Sequence, residues 1–158
     1  MTWTPHATVA VIVMDDARRF LMVEERSGSE TVINQPAGHV EAGEAILDAA
    51  IRETLEETGW EVRLQHLIGL YTYLAPSNGV TYYRFSFAAT AQRRISQKLD
   101  DGIIAARWLT LEELERCNNL RSPLVLACIR DYLAGRKFPL DFIREDAALR
   151  IAAEEPQS

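Results

Sequence analysis

Hydrophobic and polar positions along this chain fall into short blocks with two different periods. Residues 7–14, A-T-V-A-V-I-V-M, are nearly all apolar, the pattern of a strand buried on both faces. Asp15-Asp16-Ala17-Arg18 reads as a turn, and Arg19 to Glu25 resumes as a second strand, so the pair is expected as a hairpin or as close neighbours. A polar loop at 26–31 leads to Val32–Val40, a short strand breaking into a Pro36-Ala37-Gly38 turn. The period then changes to that of a helix, from about Glu44 to Thr58, begun by Gly43 or its neighbours and stopped by Gly59. Ile46, Leu47, Ala50, Ile51 and Thr54 share one arc and are expected to pack on the sheet. Glu53, Glu56 and Glu57 share the adjacent arc.

Downstream, Glu61 to Tyr73 reads as extended chain with a bend near Gly69, and Pro76 to Gly79 as a turn. Val80 to Ala91 alternates as a strand, 97–102 is an exposed loop, and Ile103 to Leu109 is a further strand. Leu111 to Cys117 and Ser122 to Ala134 predict helices, the second with Pro123 in its first turn. This alternation predicts an α/β fold: an α/β/α sandwich with a mixed β-sheet between helices. Residues 1–145 are expected to form a single domain and 146–158 a frayed polar tail.

Composition narrows the function classes. No apolar run approaches the roughly 20 residues that span a bilayer, and no basic region precedes an apolar one at the N-terminus, so no membrane span or secretion signal is expected. Cys117 and Cys128 are the only cysteines and read as inert thiols of a reducing, cytoplasmic compartment. The formal net charge of −6 argues against nucleic-acid polymers and acidic membranes as partners. If the substrate is an anionic phosphate, a cation and a few local arginines must offset that charge.

The three glutamates supply the reason for one. At i, i+3 and i+4 they are neighbours on one helix face and repel one another. A hard divalent cation relieves the repulsion, since Mg²⁺ takes oxygen ligands. A bare E-x-x-E-E is more often a solvated face, but here it carries further spacing. Gly38, then Glu44, then R-E-T-L-E-E-T-G-W at 52–60 resembles the Nudix box, G-x5-E-x7-R-E-U-x-E-E-x-G-U. Every fixed position is filled; Thr54 stands where an aliphatic residue is usual, and Trp60 closes the box. V-E-E at 23–25, N-Q-P-A-G-H at 34–39 and N-L-R-S-P-L-V at 119–125 resemble a phosphatase subgroup of that family, so the likeness covers most of the chain.

The resemblance implies Mg²⁺-dependent hydrolysis, with Mn²⁺ as a substitute, of nucleoside tri- and diphosphates with release of orthophosphate. It also implies action on thiamin diphosphate and hydroxymethylpyrimidine diphosphate, that is, a small phosphorylated substrate. Glu56 and Glu57 are the first-choice metal ligands, Glu53 completes the cluster or orients the attacking water, and the Ala37 carbonyl is a further ligand. Gly38 lets that backbone turn and approach the ion. Arg52 is expected to pair with Glu44 or Glu56 and hold the carboxylates in place. The base is either Glu53 or a loop acid, Asp100 or Asp101.

Arg26, Arg121 and Ser122 are candidates for phosphate contact, and Gln35 and Tyr83 for contact with a base or pyrimidine ring. Plainer roles stand beside these: surface charge for Arg26, helix capping for Ser122, core packing for Tyr83. His39 is expected in a structural hydrogen bond, and isolated His6 and His66 give no zinc spacing. Two other readings share the box. One is a pyrophosphatase acting on ADP-ribose, an oxidised nucleotide or a dinucleoside polyphosphate. The other is a non-catalytic nucleotide-sensing module, which would be expected to have lost box carboxylates. Monomer and homodimer are left open.

Overall fold

The computed structural model describes residues 2–95 and 98–149. Along them run β1 (His6–Val13), β2 (Arg19–Ser27), β3 (Glu30–Asn34), β4 (Ala37–His39), α1 (Ile46–Thr58), β5 (Trp60–Leu74), β6 (Thr81–Arg94), β7 (Ile103–Thr110), α2 (Leu111–Glu115) and α3 (Leu124–Leu133). A short 3-10 turn, Leu140–Phe142, follows. The strands lie between α1 on one side and α2 with α3 on the other, the expected sandwich.

The strands divide into two hydrogen-bonded sheets. One is mixed, in the order β4-β1-β6-β5, with β1 and β6 parallel; the other is antiparallel, β3-β2-β7. The expected β1–β2 hairpin is therefore only a junction: a single bridge joins Met14 to Phe20 before the strands part. Arg18 turns the chain there with φ 60, and Asp15 holds the turn by accepting from the Ala17 and Arg19 amides. The predicted loop at 26–31 is a tight hairpin, in which Arg26 pairs with Thr31 and Ser27 with Glu30. The predicted turn at 36–38 is the crossing between sheets. Chain leaves β3, passes Gln35 and Pro36, and adds β4 to the edge of β1.

Period-two alternation explains why β1 and β6 are apolar on both faces. Val9, Val11 and Val13 of β1 and Phe87 and Ala89 of β6 face α1, whereas Ile12 and Ala88 face α3. α1 packs through Ala49, Ala50, Thr54 and Thr58 rather than through Ile51, which is 36% exposed. The expected arc was one position out of phase at Ile51. Thr54 is buried and its hydroxyl donates to the Ala50 carbonyl, so the unusual box residue satisfies itself within the helix.

Both ends of α1 are fixed. Gly59 terminates it with φ 77 and donates to the Leu55 carbonyl. The residue just before it, Ala45, offers no capping side chain. The cap comes from Glu145 instead, whose carboxylate accepts from the Ile46 amide and, at 3.4 Å, from the Leu47 amide. Gln97 of the predicted loop and 150–158 of the predicted tail lie outside the described residues. The second long helix begins at Leu124, with Pro123 just before it and the Ser122 hydroxyl accepting from the Leu124 amide. Among the described residues no helix is long and apolar enough to cross a membrane.

Candidate active site

Arg52 organises the acidic face of α1. Its Nε donates to Glu44 Oε2 at 2.6 Å and its Nη2 to Glu44 Oε1 at 3.0 Å, a two-pronged pair. Nη1 reaches Glu53 at 2.9 Å and Glu56 at 3.0 Å, and Nη2 also meets the His39 carbonyl at 3.1 Å. The expected choice between Glu44 and Glu56 is thus no choice, because one guanidinium serves both. The Glu44 hydrogen bonds hold Arg52 above its usual range. Burial pushes Glu44 up, but the bonds from Arg52 outweigh it and leave that carboxyl lowered.

Glu57, one turn further on, has no such partner. It is 8% exposed and accepts from the Ala37 amide at 2.8 Å. Burial, reinforced by the charges of Glu25, Glu53 and Asp100, pushes its carboxyl up to about 9. Burial also raises Glu53, with Glu56 and Asp100 adding to it against Arg52. Gly38 sits directly over Glu53: a Cβ there would lie 2.2 Å from the Glu53 carboxyl carbon. The glycine is therefore needed for close approach, not for a turn, since it lies within β4.

Among the described residues no three acidic or imidazole side chains yet converge as a metal-binding group. The reason is visible in the bonding: Glu53 and Glu56 point at Arg52, and Glu57 at Ala37. The donor set nonetheless fits a hard divalent cation. Three carboxylates lie within two turns, and the buried one holds a proton at neutral pH that a cation could replace.

Beside this face opens a cleft of about 280 Å³. Ala37 and Gly38 line one part of it, with Glu25, Arg84, Arg121 and Ser122 among its other walls. Arg121 and Ser122, suggested for phosphate contact, both line this cleft, Arg121 lying 3.6 Å from Glu25. The loop before β7 also reaches the acids, because the Asp100 amide donates to the Glu56 carbonyl at 3.0 Å. Of the two loop acids, Asp100 is the one whose charge acts on both Glu53 and Glu57.

Three suggested contacts fall elsewhere. Gln35 is 1% exposed with both amide ends engaged: Nε2 donates to the Val125 carbonyl at 2.7 Å, and Oε1 accepts from Arg84 at 2.6 Å. It braces Arg84 and has no free edge for a ring. Tyr83 points to the opposite face of β6, where it packs edge-on against Trp3; Tyr82, one residue earlier, lines the cleft. Arg26 is exposed beside the Gly102 carbonyl and outside the cleft lining. Residues missed by sequence reasoning are Arg84, Tyr82, Asn34 and Glu25. The alternation of β6 puts Tyr82 and Arg84 on one face, which was the available signal. His39 bonds His6 at 3.0 Å and lines the cleft as well.

Fold, box geometry and cleft together define a hydrolase of phosphate anhydrides, and the chain belongs to the Nudix family: the NUDIX domain matches residues 4–127. Enzymes of this family use divalent metal ions. The chain is 41% identical over 140 residues to Phosphatase NudJ of Escherichia coli strain K12, covering 88% of this chain and 90% of that protein. The same figures hold for Phosphatase NudJ of Shigella boydii. A solved NUDIX hydrolase from Nitrosomonas europaea superposes with a TM-score of 0.87 at 41% identity, over 90% of this chain and 98% of the other. A MutT protein from Methanosarcina mazei, at 18% identity and TM-score 0.71, shares the fold. This is a Nudix hydrolase similar to the phosphatase NudJ.

Proposed function

We propose that the protein is a cytoplasmic, Mg²⁺-dependent phosphohydrolase. It removes terminal orthophosphate from nucleoside tri- and diphosphates and from thiamin diphosphate and hydroxymethylpyrimidine diphosphate. The observation that carries this reading is a run of neighbouring carboxylates beside a cleft whose lining includes two arginines. The likeness to Phosphatase NudJ supports release of phosphate over other outcomes of Nudix chemistry.

Displacement at phosphorus needs positioning and charge neutralisation more than covalent chemistry. Bound Mg²⁺ supplies charge neutralisation at the phosphate oxygens. Glu53, Glu56, Glu57 and the Ala37 carbonyl would hold it, Glu57 as its carboxylate. Arg52 keeps Glu53 and Glu56 in register through the bonds at 2.9 and 3.0 Å. Arg121 and Ser122 line the cleft wall, where a phosphate chain would meet them. Asp100 is favoured over Asp101 as the loop acid able to take a proton from water, with Glu53 the other choice; both Asp100 and Glu53 lie within electrostatic reach of Glu57.

The test measures orthophosphate and pyrophosphate separately from GDP, GTP, thiamin diphosphate and hydroxymethylpyrimidine diphosphate with Mg²⁺. Orthophosphate is expected from each, falling by about 100-fold or more in Glu57→Gln. Undiminished turnover in that variant, or nucleoside monophosphate with pyrophosphate from GTP, would refute the reading.

A further inference from the structure

Arg84 is an anomaly. It is 6% exposed, yet it lines the cleft from β6. Its bonds go to neutral amide oxygens, Gln35 Oε1 at 2.6 Å and Asn34 Oδ1 at 3.4 Å. Its Nε has no hydrogen-bond partner, and among the described residues no carboxylate pairs with it. Two groups behind it could become anionic, Cys128 and Tyr71. Burial raises both, so both stay neutral at physiological pH, and Tyr71 spends its hydroxyl proton on Asp131 at 2.6 Å. A guanidinium cannot escape burial by losing its proton. A lone buried cation is strongly unfavourable, so a protein keeps one only where something else completes it.

We propose that Arg84 is a specificity-determining anchor for a phosphoryl oxyanion of the substrate, held at the cleft floor. Asn34 and Gln35 keep the guanidinium aimed, and Arg121, ion-paired to Glu25 at 3.6 Å, adds further N–H donors on the cleft wall. The same oxygens would be presented by free orthophosphate. This rests on the reading that the substrate carries phosphate. It extends that reading by naming a residue outside the Nudix box that selects for an oxyanion rather than for a ring.

The experiment is thermal unfolding of the full chain without divalent metal, with inorganic phosphate titrated at constant ionic strength. Wild type, Arg84→Met and Arg84→Lys are compared, together with KM for GDP and thiamin diphosphate in Mg²⁺. Wild-type Tm should rise saturably, by about 5 °C. Arg84→Met should show no rise, Arg84→Lys a smaller one, and Arg84→Met without phosphate should melt at or above wild type, since an unpaired charge has been removed. KM for both diphosphates should increase about tenfold or more in Arg84→Met. A wild-type Tm indifferent to phosphate, an equal rise in Arg84→Met, or an unfolded Arg84→Met would each overturn the proposal. Unchanged KM with loss of the Tm response would mark a site for free orthophosphate only and overturn the substrate role. Failure of the hydrolase reading is separable: absent turnover with an Arg84-dependent phosphate response leaves the anchor standing.

Discussion

The acidic face of α1 and the floor of the cleft each hold an arginine, in opposite surroundings. Arg52 meets Glu44, Glu53, Glu56 and a carbonyl, all within 3.1 Å. Arg84 is more deeply buried and meets two amide oxygens. On the acidic face carboxylates outnumber the cation; on the floor a cation lacks an anion. Each region is therefore strained electrostatically when the protein is alone. On the proposed reading, a cation would relieve the first and phosphate oxygens of the substrate the second. The difference teaches that the first region holds itself together around an internal counter-ion, while the second awaits one.

The largest effect should separate the two arginines. Arg52→Ala leaves three glutamates facing one another and should cost about 3 kcal/mol in urea unfolding; Arg84→Met in the same assay should cost nothing. An Arg52→Ala loss below about 1 kcal/mol would make its cluster no more than a surface ion pair. Next, Gly38→Ala thrusts a methyl into Glu53 and should lower kcat about 100-fold, near 2.7 kcal/mol, with the Arg84-dependent phosphate response intact. Retained kcat would show that Glu53 moves aside freely.

A third effect appears with pH. Glu57 titrates at about 9 in the fold against the usual 4.5, so between those values the folded protein holds the extra proton. Its contribution is complete below about pH 4.5 and is lost as pH rises through 9. Metal-free protein should lose stability over that window by at most about 1.4 kcal/mol per pH unit. Glu57→Gln should flatten the profile, and Mg²⁺ should do likewise by taking the place of the proton. A wild-type profile as flat as that of the variant would contradict the buried acid. The smallest effect is at the helix cap: Glu145→Ala should cost about 1 kcal/mol by chemical unfolding. No measurable loss would remove Glu145 from the support of the acidic face.

The same contrast explains what could be read from the letters. The glutamates, Arg52, Gly38 and Gly59 act over a few turns of chain, so spacing alone places them. β1 is legible too, because burial on both faces leaves an unbroken apolar run. The division into two sheets is not, since it depends on β1 pairing in parallel with β6, 76 positions away. Nor does an alternating strand announce which parity faces the cleft. The letters offer Tyr83 where Tyr82 lines the wall, and nothing in them marks Arg84 until the sheet is assembled. Gln35 reads as a candidate ring contact because the partners that bury it, Val125 and Arg84, come from distant segments.

Glu145 ties the far end of the chain to the start of α1. A nascent chain emerges from its N-terminus onward, so all seven strands and the helix itself leave the ribosome before the carboxylate that finishes it. The helix that carries the box is consequently among the last parts to gain full support. A chain released short of that point would carry every box residue on a scaffold still loose at its first turn.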